Sequence, residues 1–310
     1  MNRREFLKGS LAVSAVGAVP PCTFAKAPRH DGYLLFDPEV PDLEPRIFAP
    51  KILARDRAYI GYQTFDPSGE EFYFAVTDRD WQSSRIRHVS ARRPDVVETL
   101  QFTNPQWEGE PCIAPDGRRM FFTAILPPGD KPWDSDLYCV ERTGAGWGRP
   151  RLLPAPVNTA ASEWHASVTN DGVLYFASER EGGRLAADIF RAVPVGGSYT
   201  RVEKLPVGIN TAHNDCDPLI APDESYLIFH SNRPGGFGEH DLYVGFRDRS
   251  GKWSAPKNMG PVINHPGWQM APSLTPDGRY LLFTRRRAFK TDEPSQIFWV
   301  SARFIETLRP

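Results

Sequence analysis

The sequence lacks the short signatures of the common catalytic centres: there is no G-x-S-x-G, no H-E-x-x-H and no Walker phosphate loop. Cysteine is scarce, with four in 310 residues and none in a C-x-x-C pair, so no thiol pair is spaced for a zinc knuckle or a redox motif. Charge of one sign is lacking too: the net charge is −1, which gives no global pull toward nucleic acid or an acidic membrane surface. No apolar run is long enough to cross a bilayer, since the longest stretch near the N-terminus covers only Leu11 to Val19. Proline and glycine are abundant instead, at 30 and 25 residues, as in a chain full of turns.

The N-terminus stands apart from the rest. Arg3-Arg4-Glu5-Phe6-Leu7-Lys8 ahead of the short apolar stretch resembles a twin-arginine export signal. Residues 1–27 are therefore read as a removed signal peptide, cut after Ala25 or Ala27, and 28–310 as one mature domain. The implied address is the periplasm or the outside of a bacterium. Cys22 leaves with the signal, and Cys112, Cys139 and Cys216 are expected as buried free thiols.

The mature chain repeats. A turn recurs as Pro67-Ser68-Gly69, Pro115-Asp116-Gly117, Asn170-Asp171-Gly172, Pro222-Asp223-Glu224 and Pro276-Asp277-Gly278. The middle residues stand 48, 55, 52 and 54 residues apart, a period that belongs to propellers, solenoids and arrays. A dense apolar run follows each turn, such as Leu174-Tyr175-Phe176 and Tyr226-Leu227-Ile228-Phe229. Such runs do not alternate, so both faces of the strand are covered. A third strand follows (Asp188-Ile189-Phe190, Asp241-Leu242-Tyr243), then a polar segment containing proline, such as Trp253-Ser254-Ala255-Pro256. Proline suits an outermost edge, where a missing N–H costs no ladder bond.

Four strands in about 50 residues, in tandem, make an all-β propeller of four-stranded blades. Five blades are expected, with six as the alternative. The last copy lacks its fourth strand, and the surplus segment Pro45 to Leu53 is predicted to supply it and close the ring.

The order P-D-G, apolar run with Phe, S-x-R, D-[LI]-[YF] resembles the WD40-like repeat of the TolB type. It is carried by Asp171-Gly172, Phe176, Ser178, Arg180 and Asp188-Ile189-Phe190, and again by Asp223, Phe229, Ser231, Arg233 and Asp241-Leu242-Tyr243. The resemblance covers residues 45–300 and implies a bacterial periplasmic propeller that serves as a binding platform. TolB-type proteins carry a further N-terminal domain, for which no room is expected here.

In that register the innermost strands place Tyr62, Glu110, His165, Asp217 and Ala271 at equivalent positions, with Ile60, Glu108, Glu163, Asp215 and Gln269 two residues earlier. Residues two apart on a strand share a face. Glu108/Glu110, Glu163/His165 and Asp215/Asp217 are thus predicted to point in pairs into the channel, with Trp164 and Trp268 beside them. These eight residues are the candidate ligand-binding set. They suit a peptide, protein or glycan of the cell envelope, bound without catalysis at the channel mouth. No cofactor is assigned, although such acids with His could take a divalent cation. The alternative is a glycoside hydrolase or polysaccharide lyase using Glu110, Glu163, His165 and Asp217. A competing structural reading has the polar lining bonded to backbone and water. The expected protein is a monomer with no nucleic-acid partner and no membrane span in its mature chain. Arg180 and Arg233 are expected to pair with Asp188 and Asp241, and Arg285-Arg286-Arg287 to form a solvated loop.

Overall fold

The structure, a computed structural model, describes residues 32–310 apart from 54–58, 79–80, 104–106, 126–133, 145, 184 and 289–292. The export leader, residues 1–27 with Cys22, lies outside the described residues.

Strand β1 (Arg46–Ile47) comes first and is used last. The first full sheet is β2 (Tyr59–Phe65), β3 (Glu71–Thr77), β4 (Ser84–Ser90) and β5 (Val97–Leu100). The second is β6 (Trp107–Ile113), β7 (Arg119–Ile125) and β8 (Asp136–Thr143), edged by β9 (Gly146–Trp147) and β10 (Arg151–Leu152). One parallel bridge, Ser84 to Trp107, links these two sheets. The third holds β11 (Glu163–Val168), β12 (Leu174–Ser178), β13 (Asp188–Val195) and β14 (Ser198–Lys204). The fourth holds β15 (Asp215–Ile220), β16 (Tyr226–Ser231), β17 (Asp241–Phe246) and β18 (Lys257–Asn258). The fifth is β19 (Trp268–Leu274), β20 (Tyr280–Arg286) and β21 (Gln296–Ser301), completed by β1, with Arg46 opposite Trp299 and Ile47 opposite Phe298. The surplus N-terminal segment thus pairs where the sequence predicted. The outer strands β10 and β18 start just past Pro150 and Pro256, so the prolines precede the edge strand rather than forming it.

The apolar runs are covered by packing between neighbouring sheets. Apolar clusters lie between successive sheets. Ile86 meets Phe122, Phe121 meets Phe176, Ile189 meets Phe229, and Val244 meets Phe283. In another cluster Phe72 of the first sheet and Trp299 of the last enclose Phe48, whose ring centroid is 5.2 Å from each of theirs. The turns leaving the inner strands use left-handed glycines, with φ 73° at Gly69 and 68° at Gly117. Glu224 holds the same conformation (φ 59°) without glycine's freedom. Its carboxylate accepts from Tyr175 at 2.6 Å and Arg247 at 2.5 Å, which pins it there.

In the second, third and fourth sheets one asparagine fixes the spacing of the outer strands. Asn210 Oδ1 accepts from Ile189 N–H at 2.7 Å, and its Nδ2 donates to the carbonyls of Ile189 and Leu205. Asn158 does the same with Leu137 and Leu153, and Asn264 with Leu242. Cys112, Cys139 and Cys216 are free thiols. Cys112 and Cys139 both face Phe121, one strand to either side of it.

Two expectations fail. Arg180 reaches Glu163 at 3.1 Å rather than Asp188, which pairs with Lys204 at 2.7 Å. Arg233 likewise reaches Asp215 at 2.7 Å, while Asp241 accepts from the N–H groups of Phe237 and Gly238. The reason is stacking: each guanidinium lies over two rings of its own sheet, Phe176 and Phe190 or Phe229 and Tyr243, which aims it at the inner strand. The arginine triplet is solvated only at Arg287, which is exposed. Arg285 and Arg286 belong to β20, and Arg286 is buried with its guanidinium 3.9 Å from the Tyr59 ring centroid.

Candidate functional site

The five inner strands β2, β6, β11, β15 and β19 share one irregularity. Tyr62, Glu110, His165, Asp217 and Ala271 all have positive φ, at 53°, 55°, 40°, 50° and 51°. In each strand the pairing register slips at that residue. For a residue with a Cβ this conformation costs about 1–2 kcal/mol, so something must offset it five times. The bulges carry bonds between sheets. Glu110 Oε2 accepts from the His165 N–H at 2.7 Å and the Thr123 hydroxyl at 2.6 Å. Asp217 Oδ2 accepts from the Ala271 N–H at 3.0 Å, and Gln63 Nε2 donates to the Ala271 carbonyl at 2.8 Å. Two residues further on, Ser167 Oγ accepts from the Ile220 N–H at 3.0 Å.

The bulge also undoes the predicted pairing of side chains on one face. An extra residue shifts the alternation of a strand, so the residue before the bulge turns away from the one in it. Glu108 accepts from the N–H groups of Phe102 and Thr103 and from the Thr103 hydroxyl. Glu163 accepts from Thr159 N–H and hydroxyl, Ser178 and Arg180. Asp215 accepts from Thr211 N–H and hydroxyl and from Arg233. All three carboxylates are buried and tie down the loop that enters their own strand. Trp164 stands edge-on to Trp107 with centroids 6.1 Å apart, and Trp268 donates to Glu239 at 2.6 Å and packs on His240.

The bulge residues themselves form a buried polar centre. Burial, and then the nearby Asp217, push the Glu110 carboxyl up to about 8 against the pull of Thr123 and the His165 N–H. Burial would raise Asp217 as well, but His230 at 3.1 Å, His165 and the Ala271 N–H outweigh it and hold it below the usual carboxylate range. Burial lowers His165 against the pull of Asp217. Tyr62, with its ring 5.7 Å from that of His165, is pushed up by burial and by the two carboxyls. Among the described residues no three His, Cys, Asp or Glu side chains are grouped to hold a metal ion.

Above this centre lies a cavity of about 1110 Å³. It opens on the side of the turns that leave the inner strands, and Pro67, Pro115, Pro222 and Pro276 of those turns line it. The sequence pattern points instead to the residues entering the strands. Of the eight candidates, His165 lines this cavity and the other seven do not. The residues missed are Gln63, Thr64, Ser167 and Ser273, one or two places past the bulge. The signal was present as Pro111, Pro218 and Pro272, which repeat directly after the bulge residue and line the same wall.

Residues 1–20 match the model of the twin-arginine translocation pathway signal sequence, so the chain is exported by that route to the periplasm or beyond. No curated protein sequence matches the chain. Among solved structures, TolB from Acinetobacter baumannii is similar at 16% identity and a TM-score of 0.50, over 79% of this chain and 54% of that one. This chain thus spans about half the length of that TolB. A putative TolB from Agrobacterium tumefaciens is similar at 17% identity and a TM-score of 0.51, over 79% and 77%. An α-L-arabinofuranosidase from Lactobacillus brevis follows at 13% identity and a TM-score of 0.49, over 80% and 91%. The likeness to the two TolB structures shows the fold: an exported, TolB-like, β-propeller-like protein. No helix among the described residues is long and apolar enough to cross a membrane.

Proposed function

We propose that residues 28–310 form one closed propeller of five blades and act as an exported binding module for a peptide, protein or glycan of the cell envelope. Closure is supported by Phe48 between the first and last sheets and by the bond from Gln63 to Ala271. The observation that carries the binding role is the central cavity. At about 1110 Å³ it lies just above the usual ligand-pocket sizes, roughly 300–1,000 Å³, and it mixes apolar walls with a few hydrogen-bonding groups. Glu110, Glu163 and Asp217 are already spent on N–H and hydroxyl partners and lie off its lining, so the hydrolase or lyase reading gains no support.

The test is a thermal-shift screen of the exported chain against pooled short peptides and pooled oligosaccharides, beside the cavity-filling variant Leu219→Trp. Binding to the native state raises the melting temperature by mass action. A rise with one pool that Leu219→Trp abolishes supports the reading. A rise that the variant leaves intact places the ligand elsewhere and sinks the cavity as the site.

A further inference from the structure

The lining of the cavity carries a chemical specification. Its charged members are Asp223, Asp277 and Arg279, all in the turns at the rim. Asp277 is occupied, accepting from Tyr33 at 2.8 Å and from Thr275 at 2.7 Å, and Asp223 accepts from the Ser225 N–H. Deeper in, no lining side chain is a carboxylate, ammonium or guanidinium. A charged group lowered there would shed its water without gaining a counter-charge, a cost of several kcal/mol. The occupant of the floor is therefore neutral.

The floor is not apolar, however. Ser167 Oγ accepts from the Ile220 N–H and Ser273 Oγ from Gln63 Nε2. A hydroxyl keeps one hydrogen to donate, and neither serine has an acceptor among the described residues. His165 is 6% exposed and its imidazole has no hydrogen-bond partner; Nδ1 is sealed, so the ring meets the cavity by its other edge. Buried polar groups are ordinarily hydrogen-bonded. Two of them, His165 and Ser167 on β11, and the half-buried Ser273 on β19 line one space with bonds unmade. Around them Pro111, Pro218 and Pro272 offer flat C–H walls.

We propose that the cavity takes a short neutral saccharide, with its hydroxyl edge on Ser167, Ser273 and His165 and its C–H faces against the prolines. A pyranose has that combination: polar in several directions around its rim, apolar on its faces and uncharged. The proposal rests on the reading of the cavity as the ligand site and narrows that reading to one class.

Calorimetric titration of the exported chain tests it. The probes are cellobiose and chitobiose as neutral saccharides, digalacturonic acid and chitosan dimer as charged ones, and an end-capped Ala-Pro-Ala peptide. Leu219→Trp fills the cavity, and His165→Phe removes the ring nitrogens while keeping a ring against Tyr62. A neutral saccharide is expected to bind, its charged counterparts to bind at least about tenfold more weakly, and His165→Phe to weaken it about tenfold. Binding of the peptide alone, lost in Leu219→Trp, overturns the saccharide class but keeps the cavity as the site. Saccharide binding that survives Leu219→Trp overturns both. Absence of binding by either neutral saccharide, with the fold of the chain intact, overturns the proposal.

Discussion

At the residue scale, Glu110 is the side chain whose behaviour departs most from its sequence. A glutamate at a channel position reads as a charged, ligand-facing group. Here it is 3% exposed and accepts two hydrogen bonds within the protein. Its folded value of about 8 lies above the unfolded value of 4.5, so the folded state holds the proton more tightly. Its contribution to stability is complete below the unfolded value and is lost as the pH rises through the folded one. In that window the unfolded chain has released a proton that the native chain still holds, and stability falls by up to ~1.4 kcal/mol per pH unit. Urea midpoints of the parent are therefore expected to drop between pH 5 and about 8. Glu110→Gln keeps an oxygen for the His165 N–H but cannot titrate, so it should flatten that slope. Asp217 acts oppositely: its folded value is depressed, so its contribution fades only as the pH falls below the ordinary carboxylate range. An equal slope in parent and Glu110→Gln would show that another group drives it.

At the element scale the inner strand is the unit that matters, and its bulge is the feature the sequence concealed. Five unlike residues (Tyr, Glu, His, Asp and Ala) occupy one backbone conformation, and none is the glycine that a positive φ favours. Side-chain type therefore gives no hint of it. What selects the bulge is the neighbouring sheet, which takes up the backbone groups that the local ladder gives up. Ala271 separates backbone strain from side-chain chemistry, since its methyl makes no polar contact. Ala271→Gly should cost little or stabilise by about 1 kcal/mol, because glycine adopts φ 51° freely. Ala271→Val should destabilise by more than ~1 kcal/mol, because a β-branched side chain is poorest in that region. Denaturant unfolding of both variants checks this, and equal effects from the two would mean that φ at this position is not what the strand requires.

At the scale of the whole molecule, the ends of the described chain are joined by one short segment. Phe48 is 1% exposed between sheets that are first and last in sequence, and its N–H donates to the Ile297 carbonyl at 2.8 Å. Phe48→Ala should cost ~3–5 kcal/mol, as for any fully buried ring, and lower the melting temperature as a single transition. A loss under ~1 kcal/mol would mean that the first and last sheets do not depend on this segment. The sequence by itself determined the repeat, the strand order within each sheet, the segment that completes the last sheet and the export leader. These follow from local chemistry: turn residues at a fixed period, apolar runs and a contiguous signal. It also located the five equivalent inner-strand positions. Only the tertiary structure decided what those positions do. Whether Glu108 or Glu163 faces a channel or ties down a loop depends on a bulge stabilised by the next sheet, some 50 residues away in the chain. The partners of Arg180 and Arg233 depend on rings stacked beneath them. The cavity depends on the meeting of five strands from five repeats, and no one repeat contains it.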